Sequence, residues 1–186
     1  MEAIETERLV LRAYADADAP RVLDIHSRLD VIRWLGNPPY VPMATLDEAL
    51  AWIARHSRVA EDAPFERTFA IEVRDTGVVA GSAMISRVSL LGADEWEGEY
   101  EVGWHLHPDS AGHGYATEAG SAVLDDAFSR GLEHVWCGMF AHNEASARVA
   151  LKLGLPELGF GPDPWYGGRS RIFEATRDWW LSRQAS

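Results

Sequence analysis

Two glycines flanking one residue, Gly112-His113-Gly114, join an acidic, alternating stretch (Trp96 to His107) to an amphipathic one (Tyr115 to Arg130). The rest of the chain reads as their support. Glycine permits φ > 0 and lets a ligand come close to the backbone. The start of the helix that follows adds unpaired N–H groups and about half a positive charge from its dipole. The stretch therefore reads as a strand–loop–helix cradle for a phosphate or pyrophosphate. It is not a Walker A loop, because no Gly-Lys-Ser/Thr follows. It is not a dinucleotide fingerprint, because Thr117 stands where the third glycine belongs. Gly-rich strand–helix turns also occur for purely structural reasons.

At 186 residues the chain suits a single domain, 1–186, large enough to bury a real core. A net charge of −12 argues against nucleic acid as a partner, since phosphate backbones need clustered Lys and Arg. The same charge is compatible with a cationic substrate. One cysteine, Cys137, allows no internal disulfide and fits a reducing compartment. Cys137 sits in an apolar run and reads as inert core. The acidic N-terminus has no apolar run, and no uncharged stretch nears the ~20 residues of a membrane helix. The expectation is a cytoplasmic protein without a membrane partner.

Alternation marks Thr6 to Arg12 as a strand. Asp16 or Asp18 caps a helix entered through Pro20, with apolar positions Val22, Leu23, Ile25 and Leu29. Thr45-Leu-Asp-Glu48 is a capping box for a helix expected to reach Val59. Thr68–Val73 and Val78–Val88 form a hairpin around Asp75-Thr-Gly77, and Gly92–Glu95 is a loop. The acidic strand, the glycine loop and its helix follow, closed by Gly131. Val135–Phe140 is a strand buried on both faces, and Asn143 caps a helix ending at Gly154. Two short strands around Phe160 and Ile172-Phe173 flank a Pro-Asp-Pro-Trp-Tyr-Gly-Gly loop, and Asp178–Leu181 is a last helix. The order β-α-α-β-β-β-α-β-α-β-β is an α/β (α+β) chain with a mixed sheet between helices.

Asn143-Glu-Ala-Ser146-Ala-Arg-Val-Ala-Leu-Lys152-Leu-Gly154 follows the glycine loop, and the two together resemble the coenzyme A-binding core of the GNAT superfamily of N-acetyltransferases. The branch it most resembles acetylates N-termini of ribosomal proteins. The resemblance covers nearly the whole chain and is specific only near Gly112 and Asn143. It implies a mostly antiparallel sheet of about seven strands with helices on both faces. It implies acetyl-CoA as donor and direct transfer to a primary amine, a protein or peptide N-terminus or a small cationic amine. Homodimers are common in that branch. Two alternatives stay open: an aminoglycoside-type acetyltransferase, and a coenzyme A-binding sensor without turnover.

Parity puts Glu97, Glu99, Glu101, Gly103 and His105 on one face of the acidic strand, an acidic wall at the reacting centre. An ammonium of pKa about 10 must lose a proton before it attacks, and a carboxylate serves as base only when burial or like-charged neighbours raise its pKa. Mutual repulsion of three carboxylates would supply this. Glu101 matches the family's glutamate in E-hydrophobic-G-aromatic; Glu99 is the fallback, and His105 is a third candidate or a surface histidine. In the family a bulge in this strand frees oxyanion donors, and the resemblance implies one at Gly103 with donors among Val102, Gly103 and Trp104. No tyrosine stands in 143–154 to protonate the leaving thiolate, so the resemblance points to Ser146 as acid or orienting hydroxyl. It also implies cofactor contacts from Gly112, His113, Gly114, Tyr115, Ala116, Thr117, Asn143, Ser146 and Lys152. Asp109 departs from the family's Gln/Arg and is unhelpful near a pyrophosphate, and His113 stands where relatives carry Lys or Arg. Trp34, Tyr40, Trp165 and Tyr166, in Pro/Gly-rich loops, are expected with Glu99 and His105 around the acceptor. No metal site is expected.

Overall fold

The computed structural model describes residues 2–57, 62–93 and 96–184. Its strands are β1 (Ile4–Glu5), β2 (Leu9–Arg12), β3 (Arg67–Val73), β4 (Val79–Arg87), β5 (Tyr100–Leu106), β6 (His134–Phe140), β7 (Glu157–Pro162) and β8 (Arg169–Thr176). Its helices are α1 (Ala19–His26), α2 (Leu29–Ile32), α3 (Leu46–His56), α4 (Tyr115–Ser129), α5 (Glu144–Lys152) and α6 (Arg177–Gln184). The strands form one sheet ordered β1-β2-β3-β4-β5-β6-β8-β7. Every neighbouring pair is antiparallel except β5 and β6. No helix among the described residues is long and apolar enough to cross a membrane.

The eighth strand comes from a turn inside Thr6–Arg12. The Thr6 hydroxyl accepts from the Leu9 N–H at 3.0 Å, and the Thr6 N–H donates to the Leu9 carbonyl at 3.0 Å. The chain therefore folds back, with Ile4 opposite Leu11. The first helix is split as well, and Leu29 begins α2 exposed instead of extending the apolar stripe of α1. Neither Asp16 nor Asp18 caps α1 through its side chain. Asp18 instead accepts from the Ala15 N–H at 2.8 Å and from both ends of the Arg12 guanidinium. The capping box of α3 is present: the Thr45 hydroxyl accepts from the Glu48 N–H at 3.2 Å, and the Glu48 carboxylate accepts from the Thr45 N–H at 3.1 Å. Val59, the expected end of that helix, and Asp94–Glu95 of the expected loop lie outside the described residues.

Both faces of the sheet are covered, which is why Thr68 to Ile71 of β3 are buried without alternation. On one side Phe69, Ile71, Ile85 and Val102 pack with Val123, Leu124 and Phe128 of α4. On the other, Ala70 and Val79 meet Val22 of α1 and Ala49 and Ile53 of α3. Leu132 and Val135 then carry the chain into β6 as a central strand.

The acidic strand is shorter than its alternation suggests. It begins at Tyr100, because Gly98 turns at φ +91° and the Trp96 indole N–H folds over to donate to the Glu99 carbonyl at 2.8 Å. Glu97 and Glu99 therefore precede β5. The β4–β5 register is continuous from Gly81↔Leu106 to Arg87↔Tyr100, with Met84 opposite Gly103, so no bulge falls at Gly103. The opening in the sheet lies on the other side of β5, where β6 pairs at Glu101↔Trp136 alone.

Candidate active site

β5 ends at Leu106, and one turn of 3-10 helix (Pro108–Ser110) leads into the glycine loop. Gly112 and Gly114 adopt φ +84° and +83°, a left-handed conformation that side chains resist. Gly114 is also the N-cap of α4, and no side chain caps that end. A Cβ at Gly112 would meet nothing within 4 Å, so the loop opens onto free space. The loop is tied back to β2. Arg8 donates to the His113 carbonyl at 2.9 Å and pairs with Glu118 of α4 at 2.6 Å, and the Thr6 hydroxyl donates to the same carboxylate at 2.6 Å.

A groove of about 410 Å³ runs from this loop along β5. Gly112, Gly114, Ala116 and Thr117 line one bank; Ala145, Arg148, Val149 and Lys152 line the other. These four positions of α5 follow i, i+3, i+4, i+7 spacing and share one face. Arg148 and Lys152 have no ion pair among the described residues. Sequence reading missed Arg148, although its spacing from Lys152 is the available signal. His113 and Tyr115 do not line the groove; their rings stack on each other, centroids 5.3 Å apart. Asp109 does not face it either. Its carboxylate accepts from Arg21 of α1 and from the Ser110 hydroxyl, each at 2.7 Å, and the guanidinium holds it well below the ordinary carboxylate range. The acidic departure from the family pattern is thus neutralised by a partner 88 residues away.

A second cavity, about 490 Å³, lies against the odd-numbered face of β5, where Glu101, Gly103 and His105 point. Trp34, Leu35, Trp104, His105, Asn143 and Ser146 line both hollows, so groove and cavity meet there. At the junction, Asn143 caps α5 by accepting from the Ser146 N–H at 3.2 Å, while the Ser146 side chain faces both spaces. Beside it lies the β5–β6 gap. Alternation along an antiparallel ladder directs the N–H groups of Val102 and Trp104 away from β4. Trp104, beyond the single β6 pair, presents its N–H to the open gap.

Glu101 stands alone where an acidic wall was expected. Glu99 lies outside both hollows, accepting from the Trp136 indole at 2.7 Å, and Glu97 is exposed. The Glu101 carboxyl is nonetheless pushed up to about 7. Burial is the main cause, opposed by a hydrogen bond from the Tyr166 hydroxyl and reinforced by the charge of Asp163. Like-charge repulsion enters, but from a residue 62 positions away and not from strand neighbours. Asp163 escaped sequence reading; its signal was the Asp after Pro in the loop, a turn-forming position. It accepts from the N–H groups of Trp165 and Tyr166 at 2.8 and 2.7 Å and from the Ser170 hydroxyl at 2.5 Å. Those bonds aim Tyr166 at Glu101.

His105 is not a surface histidine. Burial first, then the neighbouring His26 and His56, push it down to about 3. Its Nε2 lies 3.2 Å from the Ser82 hydroxyl, and its buried Nδ1 has no partner among the described residues. Trp34 and Tyr40 line the cavity as expected. Trp165 does not: it is buried against Trp136, centroids 5.4 Å apart, and a Cβ at Gly138 would touch its ring at 3.3 Å. His26, Trp52 and His56 line the cavity without any sequence signal that pointed there. Cys137, buried and pushed above the ordinary thiol range, is inert core. No cluster of three metal-ligating side chains occurs among the described residues.

A family model described as "Acetyltransferase (GNAT) domain" matches residues 8–156. A curated Bacillus subtilis (strain 168) protein named Uncharacterized N-acetyltransferase YoaA is 29% identical over 157 residues, 84% of each chain. Among solved structures, spermidine N-acetyltransferase from Vibrio cholerae, in complex with CoA and spermine, superposes with a TM-score of 0.72 at 16% identity, covering 95% of this chain and 99% of that one. Ribosomal-protein-S5-alanine acetyltransferase from Vibrio fischeri does so at 0.68 and 17% identity, covering 97% and 99%. At such identities the two structures share the fold alone.

Proposed function

This chain belongs to the GNAT acetyltransferase family, and we propose that it moves an acetyl group from acetyl-CoA directly onto a primary amine with Glu101 as general base. The observation that carries this reading is the position of Glu101: a carboxyl poised near neutral pH inside the cavity that meets the groove, at the one β5 residue paired with β6 before the sheet opens. Acetyl-CoA, when bound, supplies a thioester whose carbonyl carbon accepts the amine. The groove fits such a ligand. Gly112 opens onto free space, the first turn of α4 is uncapped, and Arg148 and Lys152 add unpaired positive charge near the opposite bank.

In the acceptor cavity Glu101 takes a proton from the incoming ammonium. A base near 7 matches this task far better than an ordinary glutamate, and His105, held near 3, is too weak. The Trp104 N–H, fixed in advance by the β4–β5 ladder, stabilises oxyanion charge developing in the gap. The Ser146 hydroxyl, at the junction, donates a hydrogen bond toward the departing sulfur. Asn143 holds the first turn of α5 in place and thereby aims Ser146. The fold serves acceptors as different as those named for its neighbours, spermidine and a ribosomal-protein alanine, so the acceptor is decided by side chains of the cavity.

Glu101→Gln tests the reading. Its kcat for amine-dependent thiol release should fall by about 10²–10⁴, while stabilisation by acetyl-CoA in a thermal-shift assay stays unchanged. Undiminished turnover would remove Glu101 from the role of base.

A further inference from the structure

The charges around the acceptor cavity restrict what enters it. Among the described lining residues only Glu101 and Asp163 carry carboxylates, and none is Lys or Arg. Asp163 is 7% exposed, and both its oxygens are committed to the loop: one to two backbone N–H groups, the other to Ser170. Glu101 is engaged at Oε1 by the Tyr166 hydroxyl, which leaves Oε2 free for one ammonium. The wall beyond Glu101 is aromatic. The His26 ring lies 5.1 Å from that of His105 and 4.9 Å from Trp52, and Trp52 stacks on His56 at 4.0 Å. Burial pushes all three imidazoles down, His26 to about 4, with neighbouring histidines adding to the effect at His26 and His105 and Arg55 adding to it at His56, so they are neutral at physiological pH. Trp34, Tyr40, Met84 and Phe140 complete an uncharged lining.

Resting on the acetyl-transfer reading, we propose that the acceptor is an amine with a single positive charge on an uncharged, aromatic or aliphatic body, and that polycations and carboxylate-bearing amines are rejected. One carboxylate with one free oxygen meets one ammonium. A second ammonium placed deeper would face neutral rings, and a carboxylate would find no cation. Either would be a desolvated charge without a partner, which is how a pocket discriminates by exclusion.

The test uses the full chain at saturating acetyl-CoA and follows thiol release with four probes: 2-phenylethylamine, L-phenylalaninamide, L-phenylalanine and spermine. The first two carry one positive charge and no carboxylate, the third adds a carboxylate to the same body, and the fourth is a polycation. We expect kcat/KM for the better of the first two to exceed both others by at least about 10-fold, equivalent to 1.4 kcal/mol. Equal or faster turnover of spermine or L-phenylalanine overturns the acceptor class. So does turnover of neither singly charged amine by a protein that acetyl-CoA still stabilises against heat. Loss of that stabilisation is a different failure: it removes the acetyl-transfer reading and this inference with it.

Discussion

The groove proposed for the cofactor and the cavity proposed for the acceptor share six lining residues yet are built in opposite ways. The groove is local. Residues 108–117 and 143–152, two short runs, supply most of its walls, and its anion-binding element is backbone at the start of a helix. The cavity is dispersed. Its lining comes from α1, α3, β4, β5, β6 and the loop before β8, from His26 to Ser170, and its chemistry lies in side chains. A site made of backbone tolerates sequence change as long as the glycines remain. A site made of dispersed side chains changes specificity with single substitutions and leaves the fold alone.

Substituting either side should separate the two halves. The largest effect expected on the groove is from Gly114→Val, which forces a β-branched residue to φ +83° with its Cβ 3.4 Å from the Arg8 guanidinium. Acetyl-CoA stabilisation should vanish and stability fall by about 1–3 kcal/mol, seen as a lower Tm. Retained acetyl-CoA stabilisation in a folded variant would mean the groove does not depend on the glycine loop.

Glu101→Gln probes the other half through stability. The folded carboxyl titrates at about 7 against an ordinary 4.5, so the folded protein holds that proton more tightly than the unfolded chain. Its stabilising contribution is complete below 4.5 and is lost as pH rises through about 7. Removing the group should therefore raise Tm at pH 8, by the equivalent of roughly 1–3 kcal/mol, and leave it nearly unchanged at pH 4.5. A lower Tm at pH 8 would mean that Glu101 is not held at a cost. The smallest effect belongs to Arg148→Ala and Lys152→Ala. Both are exposed, so each should raise KM for acetyl-CoA only a few-fold, more at low ionic strength than at high. A salt-independent change would assign them a structural role instead.

How much of this was legible follows the same line between local and dispersed. The α3 capping box, the glycine loop, the α4 and α5 helices and the strands β5 and β6 depend on neighbours within a few residues, and the expected elements match within a residue or two at most ends. The split of Thr6–Arg12 was not legible, because it rests on one threonine hydroxyl turning back on Leu9. The acidic wall failed for a related reason: alternation extends a strand as far as its pattern runs, and Gly98 ended it before Glu97 and Glu99 could join the face. Asp109 looked like a defect because its remedy, Arg21, lies on another helix. Trp165 and Tyr166 are adjacent and indistinguishable by composition; Asp163 pins the loop so that one is buried under it and the other reaches Glu101.

By itself, then, the sequence determined the family and the glycine loop at the start of α4, since glycines, caps and apolar periodicity act through short-range sterics and hydrogen bonds. Only the tertiary structure decided that Glu101 is the one available carboxylate among the described lining residues, what raises it, and that three imidazoles line the same cavity. Those properties come from desolvation and from charges brought together across long separations in the chain, and both exist only once the core has closed.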